Sequence, residues 1–402
     1  MVLRPLRPLD PAHLDAAGWG WLYREAGAAY LAAEAVAVSE AAAAALASAA
    51  DELYALAIET VEDLITRDAL DELAVPRRMH RLVRETWEDD RHWHVVGRFD
   101  LAGGLAGPDE GGDVGPIKLI EFNADTPTSI PETSILQWAL LKANDLPDAA
   151  QFNLLYERLV ENLGRWRARN DHLDPTIVVT YAAGSLEDAA NAEVVAAAAL
   201  DAGFELARAE PLPALTFSAG EGVFLKGREG EAKGAWVRYD FVFKFIPWEW
   251  IVDEEPSLFD TLEELILEGH TAVANPPYAL ALQSKGLLPK LWRRFEGHPL
   301  LLEAHDGRVK GRGVMVEKPV FGREGANVRL IGPDGAPVHA TPGAYDAQPR
   351  ILQAFTDLPR DAQGRYYQSG VFFAHEACAL GIRRGGLVLD DAASFVAHVV
   401  EG

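Results

Sequence analysis

Apolar positions recur at helical spacing over much of residues 10–87: Leu53, Leu56, Ile58, Val61 and Leu64 fall on neighbouring turns, Ala and Glu fill the intervals, and Pro76 breaks the run. The pattern predicts an N-terminal helical layer within residues 1–90, packed on a sheet. Apolar runs at 93–100 and 116–123 then read as strands. A helix is expected from near Ser129, with Pro131 in its first turn, to near Ala143, and another over 149–169. The segment Thr176-Ile-Val-Val-Thr-Tyr181 is apolar on both faces, as a buried parallel strand requires, and Ser185 caps an Ala-rich helix that stops at Gly203. This strand, helix and strand succession predicts a βαβ-type substrate subdomain over 170–212, and with it an α/β chain. Turn signals at Gly220, Gly227, Gly230 and Gly234 predict hairpins over 214–245. Helical pieces near 257–270 and 287–295 precede strands at 313–318, 328–331, 351–355, 366–373 and 379–382.

At 402 residues, 49% hydrophobic and 24% charged, the chain is long enough for two or three domains with real cores. Its 61 acidic against 37 basic residues give a net charge of −24, which argues against nucleic-acid or anionic-membrane partners and favours a cationic one. The single cysteine, Cys378, sits in an apolar run as a small buried filler, and excludes an internal disulfide framework. The first ten residues carry charge and no apolar core, so no secretory signal is expected, and the Ala-rich stretch 40–50 is too short to span a bilayer. A cytoplasmic location is the expectation.

Candidate chemistry is concentrated in residues 98–128. Alternate residues of a strand share a face, so Arg98 and Asp100 point together, as do Glu121 and Asn123 on a neighbouring strand. Two carboxylates and an amide are hard oxygen ligands of the kind that suit Mg²⁺, and the guanidinium suits a phosphoryl oxygen. Asp125, Thr126, Pro127, Thr128 and Ser129 follow as an oxygen-rich strand-to-helix turn. A triphosphate would need further cations. Lys318 ends a strand and leads into a loop where Gly322 and Gly325 bracket Arg323, open to phosphate oxygens, although a plain hairpin turn has the same look. Without a Gly-Lys-Ser/Thr ending it is not a P-loop. Lys244, between Phe243 and Phe245, needs either an anion or a route to water. His92 and His94 read as strand surface rather than as a zinc pair.

In this order and spacing the segments resemble the synthetase domain of the glutathionylspermidine synthase family, an ATP-grasp carboxylate–amine ligase. The likeness rests on Arg98-Phe-Asp100, Glu121-Phe-Asn-Ala-Asp-Thr-Pro-Thr128, Lys244 with the Pro-Trp-Glu-Trp after it, Lys285, Lys318-Pro-x-x-Gly-Arg323, Gln368 after its Tyr, and Arg383. It implies an α/β (α+β) ATP-grasp fold over 91–402, circularly permuted and glutathione-synthetase-like because the metal element precedes the lysines, with a nucleotide lid region over 285–345. It further implies that Asp100, Glu121 and Asn123 hold Mg²⁺, that Arg98 faces the transferred phosphoryl group, and that Lys244, Lys285, Lys318 and Gln368 bind ATP. Arg323 and Arg383 would meet the acyl substrate or the phosphoryl group, and Thr126 and Thr128 would line the acyl site. Glu187 and Asp188 stand where the family can show paired acids for a polyamine, but acids also favour a helix N-terminus for its dipole. The implied activity joins a glutathione-like or peptide acid to an amine through an acyl phosphate. A non-catalytic nucleotide-binding protein and a small-molecule kinase are the alternatives. No Cys precedes Arg98, so the amidase of bifunctional members is not expected.

Overall fold

The computed structural model describes residues 1–10, 12, 15, 30–110, 113–228, 234–307, 313–390 and 392–402. The turn expected at Gly230 and part of the N-terminal helical pattern lie outside them. β1 (Val2–Pro5) and β2 (Leu31–Ser39) lead into the helix Glu40–Thr66, where the Ser39 hydroxyl accepts from the Ala42 N–H. β3 (Gly97–Ala102) and β4 (Lys118–Asn123) pair as antiparallel neighbours. β5 (Thr176–Tyr181), the helix Leu186–Asp201 and β6 (Leu206–Pro211) form the expected parallel unit, with Ser185 as N-cap. β7 (Thr216–Ser218), β8 (Gly222–Lys226) and β9 (Trp236–Tyr239) make the expected hairpins. β10 (Phe241–Lys244) and β11 (Ala272–Ala274) then return to the parallel sheet, whose order is β11-β10-β5-β6.

A third, antiparallel sheet holds β12 (Ala304–His305), β13 (Met315–Pro319), β14 (Arg329–Ile331), β15 (Pro337–Ala340) and β16 (Arg350–Ala354) in the order β12-β16-β13-β14-β15. β17 (Tyr366–Ala374), β18 (Glu376–Gly385) and β19 (Ser394–Glu401) complete the largest sheet, ordered β1-β2-β19-β18-β17-β3-β4. Helix Glu40–Thr66 buries Ala42, Leu46, Ala49, Leu53, Ala57, Val61 and Leu64 in the core and exposes Asp51, Glu52, Glu59 and Glu62. Its length and composition alone would let it cross a membrane, yet in the fold this apolar stripe packs on β17 and β18.

Three expectations are corrected. Residues 31–39 carry an Ala-rich, helix-prone sequence but form a strand, because β2 lies between β1 and β19, and Ala35, Val36, Ala37 and Val38 fill both faces of a sheet interior with no exposure. The helix expected over 149–169 begins at Leu155. Before it, the backbone is drawn to the sheet: Leu154 N–H donates to Cys378 O at 2.8 Å and Leu380 N–H to Phe152 O at 2.9 Å. His92 and His94 precede β3 rather than lying on a strand surface, and burial pushes both down to about 4; His92 is half-buried, while His94 is buried and its Nε2 bonds Ala124 O at 2.8 Å. Cys378 is buried as expected, with its thiol pushed up by burial.

Candidate active site

The antiparallel register sets Arg98 opposite Asn123 and Asp100 opposite Glu121, so period-2 alternation puts all four side chains on one face at the mouth of a cleft of about 1250 Å³. Arg98 donates from Nε to Asp100 Oδ1 at 2.7 Å, from Nη2 to Asp100 Oδ2 at 3.1 Å, and from Nη1 to Thr128 O at 2.6 Å. Burial works against the Arg98 charge, and Asp100, helped by Glu121 and Glu187, more than restores it. Asn123 Nδ2 donates to the same carboxylate at 3.2 Å. The arrangement needs glycine on the next strand: Gly370 of β17 lies opposite Asp100, and a Cβ there would come within 3.0 Å of Arg98 Cδ.

The cations expected at distant positions reach this element. Lys285 Nζ lies 3.1 Å from Glu121 Oε2 and donates to Gly322 O at 2.7 Å; Lys318 Nζ donates to Ile120 O at 2.8 Å. Burial would raise the Glu121 carboxyl, but Lys285, Lys318 and Arg98 hold it down at about 2. Burial in turn pushes Lys318 down to about 8 against the pull of Glu121. The 322–327 loop overhangs the element, with Arg323 Nη2 donating to Thr126 Oγ1 at 2.7 Å and its guanidinium 5.4 Å from the Trp250 ring. Thr128, Glu187 and Asp188 line the same cleft. Asp188 lies in the first turn of the helix, its N–H donating to the Ser185 Oγ that caps it, and its carboxyl is a cleft acid raised to about 6 by burial. Gln368 and Arg383 face each other across β17 and β18 at its rim, where Arg383 Nη2 donates to Asp390 O at 2.6 Å.

Lys244 is the correction. Its Nζ is 2.6 Å from Asp125 Oδ1 and 4.6 Å from the Trp248 ring, it is fully enclosed, and it lines neither the cleft nor the slot beside it. The anion that the flanking phenylalanines demanded is Asp125, whose other oxygen accepts the Trp248 N–H at 2.9 Å. Lys244 is thereby withdrawn as an ATP ligand.

Sequence reasoning missed three features. An adjoining slot of about 880 Å³ shares Glu121, Lys285, Lys318, the 322–325 turn and Gln368 with this region, and its walls are Ile120, Val316, Leu330 and Leu389, with Gln353 and Phe355 at one edge. The apolar side of β13 and β14 signalled only a core. Asn275, fully buried, ties the chain before β3 to the turn after β4: Oδ1 accepts from Val95 N–H, and Nδ2 donates to Val96 O, Ala124 O and Asp125 O at 2.8 to 3.0 Å. Glu132 and Glu249 are nearly buried carboxyls, each raised to about 7 mainly by burial, and each has oxygen without a hydrogen-bond partner. Glu132 falls early in the helix expected from Ser129 and Glu249 within Pro-Trp-Glu-Trp, and nothing local marks either as buried.

Among the described residues no group of three or more His, Cys, Asp or Glu side chains converges as a metal cage. Asp100, Glu121 and Asn123 are instead two carboxylates and an amide on adjacent strands, the donor set of an ion that takes its remaining ligands from water and phosphate. The residues present fit that type of site.

A family model described as glutathionylspermidine synthase preATP-grasp matches residues 1–401. A Haemophilus influenzae protein that bears the name acid–amine ligase is 26% identical over 343 residues, which is 83% of this chain and 81% of that protein. The bifunctional glutathionylspermidine synthetase/amidase of Escherichia coli is 25% identical over 355 residues, 83% of this chain and 54% of that protein, so this chain spans about half the length of the bifunctional relative. In three dimensions a glutathione synthetase-like effector of Globodera pallida, in apo form, superposes with a TM-score of 0.54 at 10% identity, covering 91% of this chain and 89% of that one.

Proposed function

The chain belongs to the glutathionylspermidine synthase preATP-grasp family, and on that premise we propose that it is an ATP- and Mg²⁺-dependent ligase that joins a carboxylic acid to an amine through an acyl phosphate. One observation carries the reading: Arg98, Asp100, Glu121 and Asn123 meet Lys285 and Lys318 where a polar cleft joins an apolar slot under one Gly-rich loop. The slot takes the base, with the backbone of 353–356 available to its edge, and Gln368 sits between base and phosphates. Lys285 and Lys318 hold phosphate oxygens, and Arg98 offers a planar two-pronged contact to the transferred phosphoryl group. Asp100, Glu121 and Asn123 would hold Mg²⁺, which when bound offsets charge on the phosphates.

The acid lies against Thr126, Thr128 and Arg323, and its carboxylate attacks the γ-phosphorus, forming the acyl phosphate and releasing ADP. An amine then displaces phosphate. An exposed acyl phosphate would hydrolyse, so the 322–327 loop acts as a cover, and Arg323 latches it to Thr126. Domain roles follow the same division: 170–212 supplies the acids of the substrate wall and 285–345 the nucleotide cover, in a chain that works in the cytoplasm on small molecules or peptides. The relatives' names make glutathione and spermidine the first probes. ADP release across a panel of acids and amines, with mass spectrometry of the products, tests the assignment. New amide with stoichiometric ADP is the expected result. Nucleotide binding without turnover across the panel favours a non-catalytic binder, and a phosphorylated product without amide favours a kinase.

A further inference from the structure

Arg98 and Arg323 both line the cleft, but they are held differently. The edge of the Arg98 guanidinium formed by Nε and Nη2 is filled by Asp100, at 2.7 and 3.1 Å, which fixes its plane. The same edge of Arg323 has no carboxylate on it: Nη2 donates to Thr126 Oγ1 at 2.7 Å, and Nε is buried with no hydrogen-bond partner among the described residues. An anion that could fill this edge stands close by. Glu249 is 4% exposed, both its carboxyl oxygens are likewise bare, and Oε1 lies 4.0 Å from Arg323 Nη2. Charge-assisted hydrogen bonds of this kind are about 2.7–2.9 Å long, so the gap to contact is about 1 Å. Buried polar groups left unpaired on both sides of one gap are seldom retained without use. A second cation near Glu249, Lys244, is committed to Asp125 at 2.6 Å. Asp188 also feels Arg323, but its carboxyl opens on the cleft, whereas Glu249 lines neither cleft nor slot and can act there only through a side chain that does. The anion is also the fixed partner. Glu249 belongs to the helix Trp248–Glu254, whose first N–H is held by Asp125, and the next residue, Trp250, carries the Arg323 guanidinium 5.4 Å from its ring. Burial raises the Glu249 carboxyl to about 7, and Arg323 leads the groups that oppose this.

We propose that Glu249 is the positioning residue for Arg323: as the acid enters, Arg323 leaves Thr126, turns its Nε and Nη2 onto the bare oxygens of Glu249, and settles the 322–327 loop over the cleft. The assignment rests on the ligase reading above. Glu249 thereby does for Arg323 what Asp100 does for Arg98. The exchange frees the Thr126 hydroxyl to bond the incoming acid, and it leaves Nη1 of a guanidinium with a fixed plane for an acyl or phosphoryl oxygen. The loop's latch moves from Thr126 in the free protein to Glu249 in the loaded one, so closure follows occupancy of the acid site. Glu249 itself touches no substrate.

The test is a double-mutant cycle over wild type, Glu249→Gln, Arg323→Met and the double variant, read in two assays. The first measures ADP release and amide formation with ATP, glutathione and spermidine. Glu249→Gln should lower kcat about tenfold or more and keep KM for ATP within about threefold, because Arg323 is misplaced and the nucleotide contacts are not. In the Arg323→Met background the same change should cost less than about twofold, since the group it positions is gone. A merely structural role would lower kcat by the same factor in both backgrounds, and that result overturns the pairing, as does wild-type kcat in Glu249→Gln. The second assay needs no turnover: hydrogen exchange of peptides covering 322–327, with and without Mg²⁺, the non-hydrolysable analogue AMP-PNP and glutathione. These ligands should slow exchange of the loop about fivefold or more in wild type and less than twofold in Glu249→Gln. A wild-type loop that ignores the ligands, or one protected equally in Glu249→Gln, overturns the pairing. If Glu249→Gln does not fold, Glu249→Asp, which draws the charge back by one methylene, enters the same cycle with the same outcomes. Glu249-dependent protection of the loop in a wild-type enzyme that releases no ADP overturns the ligase reading and upholds the pairing. Amide formation that is unaltered in Glu249→Gln does the reverse.

Discussion

Replacing Lys244 by Met separates a structural pair from a nucleotide ligand. Asp125 is wholly enclosed and Lys244 is 2% exposed; besides pairing with Lys244 at 2.6 Å, Asp125 accepts the Trp248 N–H, and its own N–H donates to Gln283 Oε1 at 2.7 Å. The pair thus pins the turn after β4 to the end of β10 and to the helix Trp248–Glu254. Burial pushes the lysine down against the pull of Asp125, so the ammonium is bound by its partner and not by water. Removing one member leaves an uncompensated buried charge, which costs about 3–5 kcal/mol, a large share of a typical stability of roughly 5–15 kcal/mol. Lys244→Met should therefore lower the urea midpoint of the transition that includes the parallel sheet. Adding Asp125→Asn removes the stranded charge while keeping an acceptor for Trp248, and should restore roughly half of the loss. ATP affinity, measured below the transition, should change less than threefold, equivalent to about 0.6 kcal/mol. An unchanged midpoint together with a large loss of ATP affinity would refute the assignment. A double variant no more stable than Lys244→Met would show that charge burial is not the cause.

Three further outcomes can be checked. Glu121→Gln should abolish most ADP release in a protein that still folds, at a cost of about 1–3 kcal/mol for the anion that Lys285 and Lys318 lose; retained turnover sinks the metal assignment. Glu249, raised from 4.5 to about 7 mainly by burial with Arg323 opposing, is favoured protonated in the fold, so its contribution is present below pH 4.5 and lost as pH rises through 7, roughly 3 kcal/mol in all. The stability of Glu249→Gln relative to wild type should accordingly increase from pH 4.5 to 7 in denaturant titrations, and a difference that is flat with pH contradicts it. Gly370→Ala would press its methyl group to 3.0 Å from Arg98 Cδ and 3.4 Å from Nε, on a side chain tethered by three hydrogen bonds. We expect kcat to fall about tenfold or more with ATP affinity kept, and a wild-type kcat would show that Arg98 has room to yield.

How much of this was legible depended on the range over which each signal acts. The metal element could be read because strand alternation is local: Arg-x-Asp and Glu-x-Asn each fix one face, and adjacent antiparallel strands bring the two faces together. Ser185 and the Ala-rich helix after it were legible for the same reason. The partner of Lys244 was not, because alternation says that a lysine between two phenylalanines faces one side of a strand, while its anion lies 119 residues earlier. β2 was misread because Ala is a good helix former whose propensity of a few tenths of a kcal/mol per residue yields to two flanking strands, one of them near the end of the chain. The apolar slot escaped notice because a side chain that lines an empty space and one that fills a core obey the same pattern.

The sheet topology explains why the site consists of short local signals that still need the whole chain. β3 with β4 is one antiparallel pair and β17 with β18 another, and each fixes its own register; only the β3–β17 pairing joins them, across more than 260 residues of sequence. That one pairing puts Gly370 opposite Asp100, which makes room for Arg98, and carries Gln368 and Arg383 to the wall of the cleft that Arg98 and Asp100 also line. A slip of one residue in it would turn Gln368 and Arg383 to the opposite face of the sheet and set Ser369 or Val371 in place of Gly370 opposite Asp100, crowding Arg98 although the β3–β4 register is kept. Register within the metal element is therefore local, whereas room for Arg98 and the alignment of nucleotide, acid and amine are set by a non-local contact. Substitutions along β17 should consequently disturb coupling between the half-reactions before they disturb the binding of ATP.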